Sequence, residues 1–230
     1  LSDETLSKLG AVCQSTGRGF HIHVAEDVAD IKNHNPIARY NNHHLLGPQT
    51  ILAHGVHLKK EDLATAAKAG CWLVHNPRSN MNNAVGYAGL AAEYPKVAIG
   101  TDGIGCDVLT EMRTAFLKAR DEGVDSAWEF PIKLMQGSLL MAEEHLGRPM
   151  GCFTKGASGD VVITNYVCNT PVTSDNVAGH LLFGMDRSYI ESVWARGRRI
   201  WPTPLDEHAI AERARDAATT LWEKMRTLDG

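Results

Sequence analysis

Short apolar runs alternate with segments of helical periodicity through the first 149 residues. Four of these runs predict β-strands: "GFHIHVAE" (19–26), "TILAHGVHL" (50–58), "CWLVHNP" (71–77) and "KVAIGTDG" (96–103). Apolar residues three or four apart predict helices at 3–17, 59–70, 107–122 and 126–146, and a helical stretch at 27–46 that "NHNP" interrupts. Helices between successive apolar strands are typical of βα units. We therefore predict an α/β fold whose parallel strands are buried on both faces.

The pattern changes near residue 150. "GCFTKGASGDVVITN" contains a short β run among glycines, and "SYIESVWARGRRIW" predicts two strands that turn at Arg196-Gly197. Residues 205–227 have the spacing of a charged amphipathic helix. We therefore predict three parts: an α/β unit at 1–149, a small β part at 150–203, and a C-terminal covering helix at 204–230.

Each of the four predicted strands ends in polar side chains. His23 and Glu26 lie at the end of the first strand, His54 in the second, His75 in the third and Asp102 in the fourth. The carboxyl ends of parallel strands meet at one edge of a sheet, where α/β proteins build their sites. Taken singly, each residue is more often structural than catalytic. Their joint appearance at four strand ends favours a functional site.

Imidazole and carboxylate groups are ligands of divalent first-row metals. His21 and His23 are two apart on a strand and so point to the same face, and Glu26 lies just past the strand end. Zinc suits such a set most readily, and iron also accepts it. A bound metal lowers the pKa of its water to about 7, and a nearby carboxylate can then take the proton.

Composition narrows the range of partners. The chain has 230 residues and a net charge of −4. This mild acidity argues against nucleic acid as a partner, since the one notable basic cluster is "ARGRR" at 195–199. No apolar stretch approaches the roughly 18 residues of a membrane span. The five cysteines are scattered with no CxxC pair, a usage that fits reduced thiols in the cytoplasm.

Four segments together resemble strands five to eight of the amidohydrolase superfamily: "HIHVAED", "ILAHGVHL", "VHNPRSNMNNAVGYA" and "AIGTDG". The similarity is to the branch of hydrolytic deaminases and triazine chlorohydrolases. "HNPRSNMNNAVG" and the C-terminal "WEKM" resemble the aminohydrolases of the SsnA type. The resemblance implies a (β/α)8 TIM-type barrel with a small β-sandwich beside it.

The resemblance also implies a role for each strand-end residue. His23 and Asp102 would bind the metal, and Asp102 would act as general base. Glu26 would contact the substrate and shuttle the proton, while His54 would polarise the substrate or orient the nucleophile. His75 would line the substrate pocket.

The implied reaction is the attack of a metal-bound hydroxide on a carbon of a nitrogen heterocycle, with release of ammonia or an amine. The strand ends offer no lysine that could bridge two metals, which favours one divalent ion, zinc or iron. Two alternatives stay open: a ring-opening cyclic amidase, and a non-catalytic subunit that acts as a scaffold in a larger complex.

The family's first barrel strand supplies a His-x-His pair of metal ligands. The one His-x-His in this sequence is His21/His23, and the trailing Glu26 marks it as strand five. We therefore expect strands one to four and two ligands to come from a longer polypeptide or from a partner chain that completes the barrel. The family also makes a homodimer an expectation.

Overall fold

Four parallel strands form the larger of two sheets in the computed structural model, which describes residues 1–202 and 207–228. They pair in chain order, each with the next. The strands are β1 (His21–Val24), β2 (Ile51–His54), β3 (Trp72–His75) and β4 (Val97–Ile99). Each lies inside one of the four apolar runs that predicted it, so the prediction of a parallel α/β sheet is confirmed.

Helices connect these strands and follow them. They are α1 (Asp3–Thr16), α2 (Pro36–Asn42), α3 (Lys60–Lys68), α4 (Pro77–Asn82), α5 (Val108–Asp121) and α6 (Phe130–Leu146). Short 3-10 turns lie at Val28–Ile31, Gly89–Glu93 and Asp102–Ile104. Ser2 is the N-cap of α1 and its hydroxyl accepts the N–H of Thr5, while Gly17 caps the other end in the left-handed conformation. α4 was not predicted; Pro77 occupies its first turn, where a missing N–H costs nothing.

The two faces of the parallel sheet contribute to separate apolar clusters. Leu52, Leu73 and Val97 belong to the main core, which the helices cover. Trp72 and Val74 lie on the opposite face in a smaller cluster. α6 packs directly on β4, and a Cβ at its Gly137 would collide with the carbonyl oxygen of Val97. This close approach requires glycine.

The predicted burial of every strand on both faces is wrong for β1. Residues in β2, β3 and β4 are almost all buried, whereas His21 and His23 of β1 are exposed. β1 is the edge of the described sheet, and its two histidines point away from the main core that Val24 enters. The exposed edge therefore presents imidazoles rather than apolar side chains.

A second, antiparallel sheet follows the helices. It consists of β5 (Val161–Thr164), β6 (Ile190–Ala195) and β7 (Arg198–Trp201), in that order. Arg196 and Gly197 both have positive φ, the arrangement that a two-residue hairpin turn of type I′ requires. Between β5 and β6, α7 (Val177–Gly179) continues into a π-helical turn at His180–Gly184, and a 3-10 turn follows at Arg187–Tyr189.

The last helix, α8, spans Glu207–Leu228. The predicted boundary at residues 203 and 204 lies outside the described residues. Large apolar side chains of this helix, including Leu221, Trp222 and Met225, are exposed. These side chains lie at the surface of the described structure, and the covering role of the C-terminal helix stays a prediction. No helix in the described part of the chain has the length and apolar character to cross a membrane.

Candidate active site

Four of the five predicted site residues meet at the carboxyl edge of the parallel sheet. His54 Nε2 lies 3.6 Å from Glu26 Oε2 and 3.8 Å from Asp102 Oδ2. His23 Nδ1 lies 3.9 Å from the same oxygen of Glu26, and the rings of His23 and His54 are 4.9 Å apart. Two imidazoles and two carboxylates from three strand ends therefore face one another.

The backbone turns sharply where these strands end. Ala25, His54 and Asp102 all have positive φ, at 47°, 71° and 50°. A non-glycine residue held there costs on the order of 1 kcal/mol, and such strain is typical of functional sites. At His54 and Asp102 the residue with positive φ is itself a site residue.

His54 is buried, with 1% of its surface exposed. Its Nδ1 lies 2.9 Å from Asn80 Oδ1, but its Nε2 has no hydrogen-bond partner and faces the two carboxylates. One ligand atom each from His23, Glu26 and His54 lies within 4.8 Å of the others. A buried nitrogen without a partner, beside two acidic groups, fits a site for a divalent cation with nitrogen and oxygen ligands.

Both oxygens of Asp102 are held by hydrogen bonds. The Ser79 hydroxyl donates to Oδ2 at 2.6 Å, and the Gly103 N–H donates to Oδ1 at 2.6 Å. The pKa of Asp102 lies below its usual value, chiefly because of the Ser79 hydrogen bond. The carboxylate is thus ionised at neutral pH, as a metal ligand must be.

Glu26 is fixed at one oxygen and free at the other. Asn83 Nδ2 donates to Oε1 at 3.2 Å. Oε2 remains on the side of His23 and His54. The free oxygen is therefore placed to exchange a proton with a group bound in the site.

The short helix α4 supplies the partners of three site residues: Ser79 for Asp102, Asn80 for His54 and, at its C-cap, Asn83 for Glu26. These contacts were missed from the sequence. Ser79 and Asn80 both bond side chains of other elements. The available signal was polar residues directly after a strand-ending Asn-Pro.

α4 is tied down by a buried ion pair that was also missed. Arg78 Nε lies 2.5 Å from Glu111 Oε2, and the Arg78 N–H donates to Glu111 Oε1 at 2.9 Å. Arg78 Nη2 donates to the carbonyl of Gly105. Glu111, on α5, is fully buried. The pair joins residues 33 apart in the chain, so sequence spacing gave no sign of it.

His75 is not brought together with the other four residues. The strand register pairs it with Ile99, on the face of the sheet that meets the main core. Its ring packs near the rings of Tyr87 and Phe130. It is fully buried and neither ring nitrogen has a partner. Burial and the nearby His54 lower its pKa to about 4. This placement does not support the predicted contact with substrate, which stays a prediction.

Comparison with known sequences gives one family. Residues 1–200 match the amidohydrolase family. A 5′-deoxyadenosine deaminase of Methanoregula boonei is 30% identical over 99% of this chain and 55% of its own length. A 5-methylthioadenosine/S-adenosylhomocysteine deaminase of Haloquadratum walsbyi is 25% identical over 98% of this chain and 55% of its own length. The chain thus spans about half the length of the curated relatives that it matches.

Comparison with solved structures supports the same fold. An adenosine deaminase from Xanthomonas campestris with bound zinc superposes with a TM-score of 0.83 at 21% identity, over 97% of this chain and 55% of that one. A zinc complex of atrazine chlorohydrolase from Arthrobacter aurescens gives a TM-score of 0.74 at 20% identity, over 94% and 52%. At these identities the likeness concerns the fold alone.

Proposed function

The chain belongs to the amidohydrolase family, and from this premise we propose that it forms part of a metal-dependent aminohydrolase that deaminates a purine-like nitrogen heterocycle. The observation that carries the proposal is the cluster of His23, Glu26, His54 and Asp102 at one sheet edge. These are the residue types and strand ends that such a hydrolase needs, and a partnerless buried imidazole nitrogen lies among them.

We assign β1 to β4 as strands five to eight of a (β/α)8 barrel. Their parallel order, the family match and the coverage of about half of each relative support this assignment. The assignment makes residues 1–149 the C-terminal half of the barrel, residues 150–203 a part of the β-sandwich and residues 204–230 a terminal helix. The other barrel half would supply a His-x-His pair of ligands.

The residues of this chain fit one divalent ion: His23, Glu26 and His54 offer ligand atoms within 4.8 Å of one another, and Asp102 Oδ2 lies 3.8 Å from His54 Nε2. Among these residues we assign His23 and Asp102 as the ligands. Zinc is the ion bound in two proteins of similar fold, which supports zinc over iron. Such an ion, when bound, polarises the reacting groups and lowers the pKa of a bound water towards about 7. An ionised Asp102, held by Ser79, is ready to serve as ligand and as general base.

Glu26 and His54 would handle the substrate. Glu26 keeps Oε2 free while Asn83 holds Oε1, so Glu26 can accept a proton and deliver it to the leaving nitrogen. His54 presents Nε2 to the same space and would orient the nucleophile or polarise the substrate. Its buried ring cannot move far, which keeps this geometry fixed.

The substrate class follows from the names of the relatives. Two relatives are deaminases of 5′-deoxyadenosine and of 5-methylthioadenosine or S-adenosylhomocysteine. We therefore propose an adenosine-type nucleoside as the substrate and its 6-amino group as the leaving group. A homodimer, or a chain that completes the barrel, remains part of this proposal.

The test is ammonia release from a panel of adenosine-type nucleosides by the purified protein, with its metal content and intact mass measured in parallel. Asp102→Asn should abolish turnover without loss of folding, and Glu26→Gln should keep the metal but lose most activity. Asp160→Asn, in the antiparallel sheet region, is the matched control. A metal-loaded protein that releases no ammonia, or an active Asp102→Asn variant, would overturn the proposal.

A further inference from the structure

The partners of the His54 ring determine which of its nitrogens carries a proton. Asn80 Oδ1 lies 2.9 Å from Nδ1, and an amide oxygen can only accept a hydrogen bond. This contact therefore requires a proton on Nδ1. Asn76 Nδ2, which would require a lone pair on Nδ1, lies further away at 3.4 Å. The shorter contact favours the Nδ1–H form, which leaves the lone pair of the neutral ring on Nε2.

We propose that Asn80 is a positioning residue of this site: its buried amide oxygen accepts the Nδ1 proton of His54, so that the Nε2 lone pair faces the two carboxylates. Asn80 and His54 are each only 1% exposed, so water does not compete for this bond. In metal-binding and catalytic histidines, the ring nitrogen that does not face the metal or substrate commonly donates its N–H to such an acceptor, which fixes the tautomer.

The orientation matters because Nε2 is the nitrogen that the site uses. With its lone pair towards Glu26 and Asp102, His54 can accept a hydrogen bond from a water or bind a cation. With the opposite tautomer, Nε2–H would donate to a carboxylate and could do neither. The Asn80 amide therefore determines whether Nε2 of His54 accepts or donates a hydrogen bond in the site.

The helix that carries Asn80 is fixed by the structure around it. Arg78 of this helix, α4, is bound to the buried Glu111 and to the Gly105 carbonyl, whereas the amide nitrogen of Asn80 is buried without a hydrogen-bond partner in the described structure. Pro77 sets the first turn of this helix. A half-turn rotation of the Asn80 amide group would exchange its oxygen and nitrogen without changing the helix. The amide N–H would then face Nδ1 of His54, which would have to accept, so that the ring proton would lie on Nε2. A measurement of the tautomer thus decides the role of Asn80 directly.

The experiment is long-range ¹H–¹⁵N correlation NMR of ¹⁵N-histidine-labelled protein, with His54 assigned by comparison with His54→Gln. Spectra are taken at about pH 8, above the ordinary histidine pKa of about 6.5, before and after dialysis against a chelator. Wild-type protein should show a protonated Nδ1 and an unprotonated Nε2 in the dialysed sample. A protonated Nε2 in that sample would overturn the proposal without any variant being made.

Two substitutions sharpen the result. Asn80→Asp keeps an oxygen that only accepts, so it should keep the Nδ1–H form, whereas Asn80→Leu removes the acceptor and should shift the ring towards Nε2–H. Asn42→Leu, an exposed position on α2, is the matched control. An unchanged tautomer in a folded Asn80→Leu protein, or a reversed one in Asn80→Asp, would contradict the assignment.

The catalytic meaning of this tautomer rests on the proposed function, but its detection does not. If the protein deaminates a nucleoside, Asn80→Leu should lower kcat roughly 10- to 100-fold and Asn80→Asp should recover part of that loss. Absence of turnover in wild-type protein would count against the proposed function alone. A kcat that Asn80→Leu leaves unchanged would count against the positioning role alone.

Discussion

The parallel and antiparallel sheets use their polar side chains differently. Among the buried polar or charged residues of the described chain, only Ser192 lies in the antiparallel sheet, while His54 and His75 lie in parallel strands and Ser79 and Glu111 on helices beside them. β7 is exposed throughout, whereas β3 is buried throughout. Both regions contain side-chain hydrogen bonds, but most of the buried polar groups belong to the parallel sheet and its helices.

Two serine–aspartate pairs make the contrast concrete. Ser79 donates to Asp102 at the site, and Ser158 donates to Asp160 just before β5. In both cases the serine hydroxyl is the chief reason that the pKa of the aspartate lies below its usual value. Ser79 is buried and its partner faces other titratable groups, whereas the Asp160 carboxylate caps the hairpin by accepting the Arg196 N–H. The same bond therefore has a different function in each setting.

The largest expected effect concerns the buried ion pair that anchors α4. Glu111→Gln would leave the guanidinium of Arg78 without its charged partner, and breaking a buried pair costs about 3–5 kcal/mol. Arg78 is partly exposed, so we expect the lower end of that range. Urea unfolding would measure the loss in the free energy of unfolding.

The matched control for that change is Glu191→Gln, at an exposed position of β6. A surface substitution of this kind should alter the free energy of unfolding by no more than about 0.5 kcal/mol. Equal losses at positions 111 and 191 would remove the distinction between the two regions.

A smaller effect is expected at the two serines. Ser79→Ala should raise the pKa of Asp102 towards its ordinary value and weaken metal binding roughly 10- to 100-fold, the usual cost of removing a partner of a ligand. The measurement is a competition titration with a chelator. Ser158→Ala should raise the pKa of Asp160 in the same direction with no change in metal affinity. If both variants bound metal as the wild type does, the Ser79 hydrogen bond would not support metal binding at Asp102.

The last effect is a pH dependence from His75, spread over more than two pH units. Its pKa is lowered to about 4, so the unfolded chain takes up a proton before the folded protein does. Stability should fall as pH drops from about 6.5, the ordinary value, towards about 4, by at most about 1.4 kcal/mol per pH unit. Above that window the contribution is constant.

His75→Leu isolates this contribution, because the buried leucine has no proton to bind. Thermal or urea unfolding between pH 4 and 7 should show a shallower pH dependence for the variant, by about one proton at most. Identical slopes for the two proteins would mean that His75 does not titrate between the folded and unfolded states.

The sheet and the strand-end cluster could be predicted because both follow from local pattern. Alternating apolar runs and helices specify parallel strands, and parallel strands bring their carboxyl ends together. His23, Glu26, His54 and Asp102 are therefore neighbours by topology, whatever the details of packing. The antiparallel hairpin at Arg196-Gly197 was equally local, since glycine accepts the positive φ that such a turn needs.

The supporting residues could not be predicted because they depend on long-range packing. Asn80 reaches His54 across 26 positions and Arg78 reaches Glu111 across 33. The exposure of β1 and the burial of His75 depend on which elements cover each strand. The spacing of apolar residues does not predict these neighbours. The positive φ of His54 and Asp102 is unfavourable for residues other than glycine, and it persists because the surrounding structure imposes it.

The attachment of three site side chains to one six-residue helix and its C-cap has a consequence for local unfolding. A single opening of α4 would release the partners of Asp102, His54 and Glu26 at the same moment, so the site should be lost as a unit rather than residue by residue. Amide hydrogens of α4 would then exchange with solvent mainly through that opening. An ion that binds only the closed form should slow their exchange, by about 2.7 kcal/mol of added protection at a concentration 100-fold above its Kd.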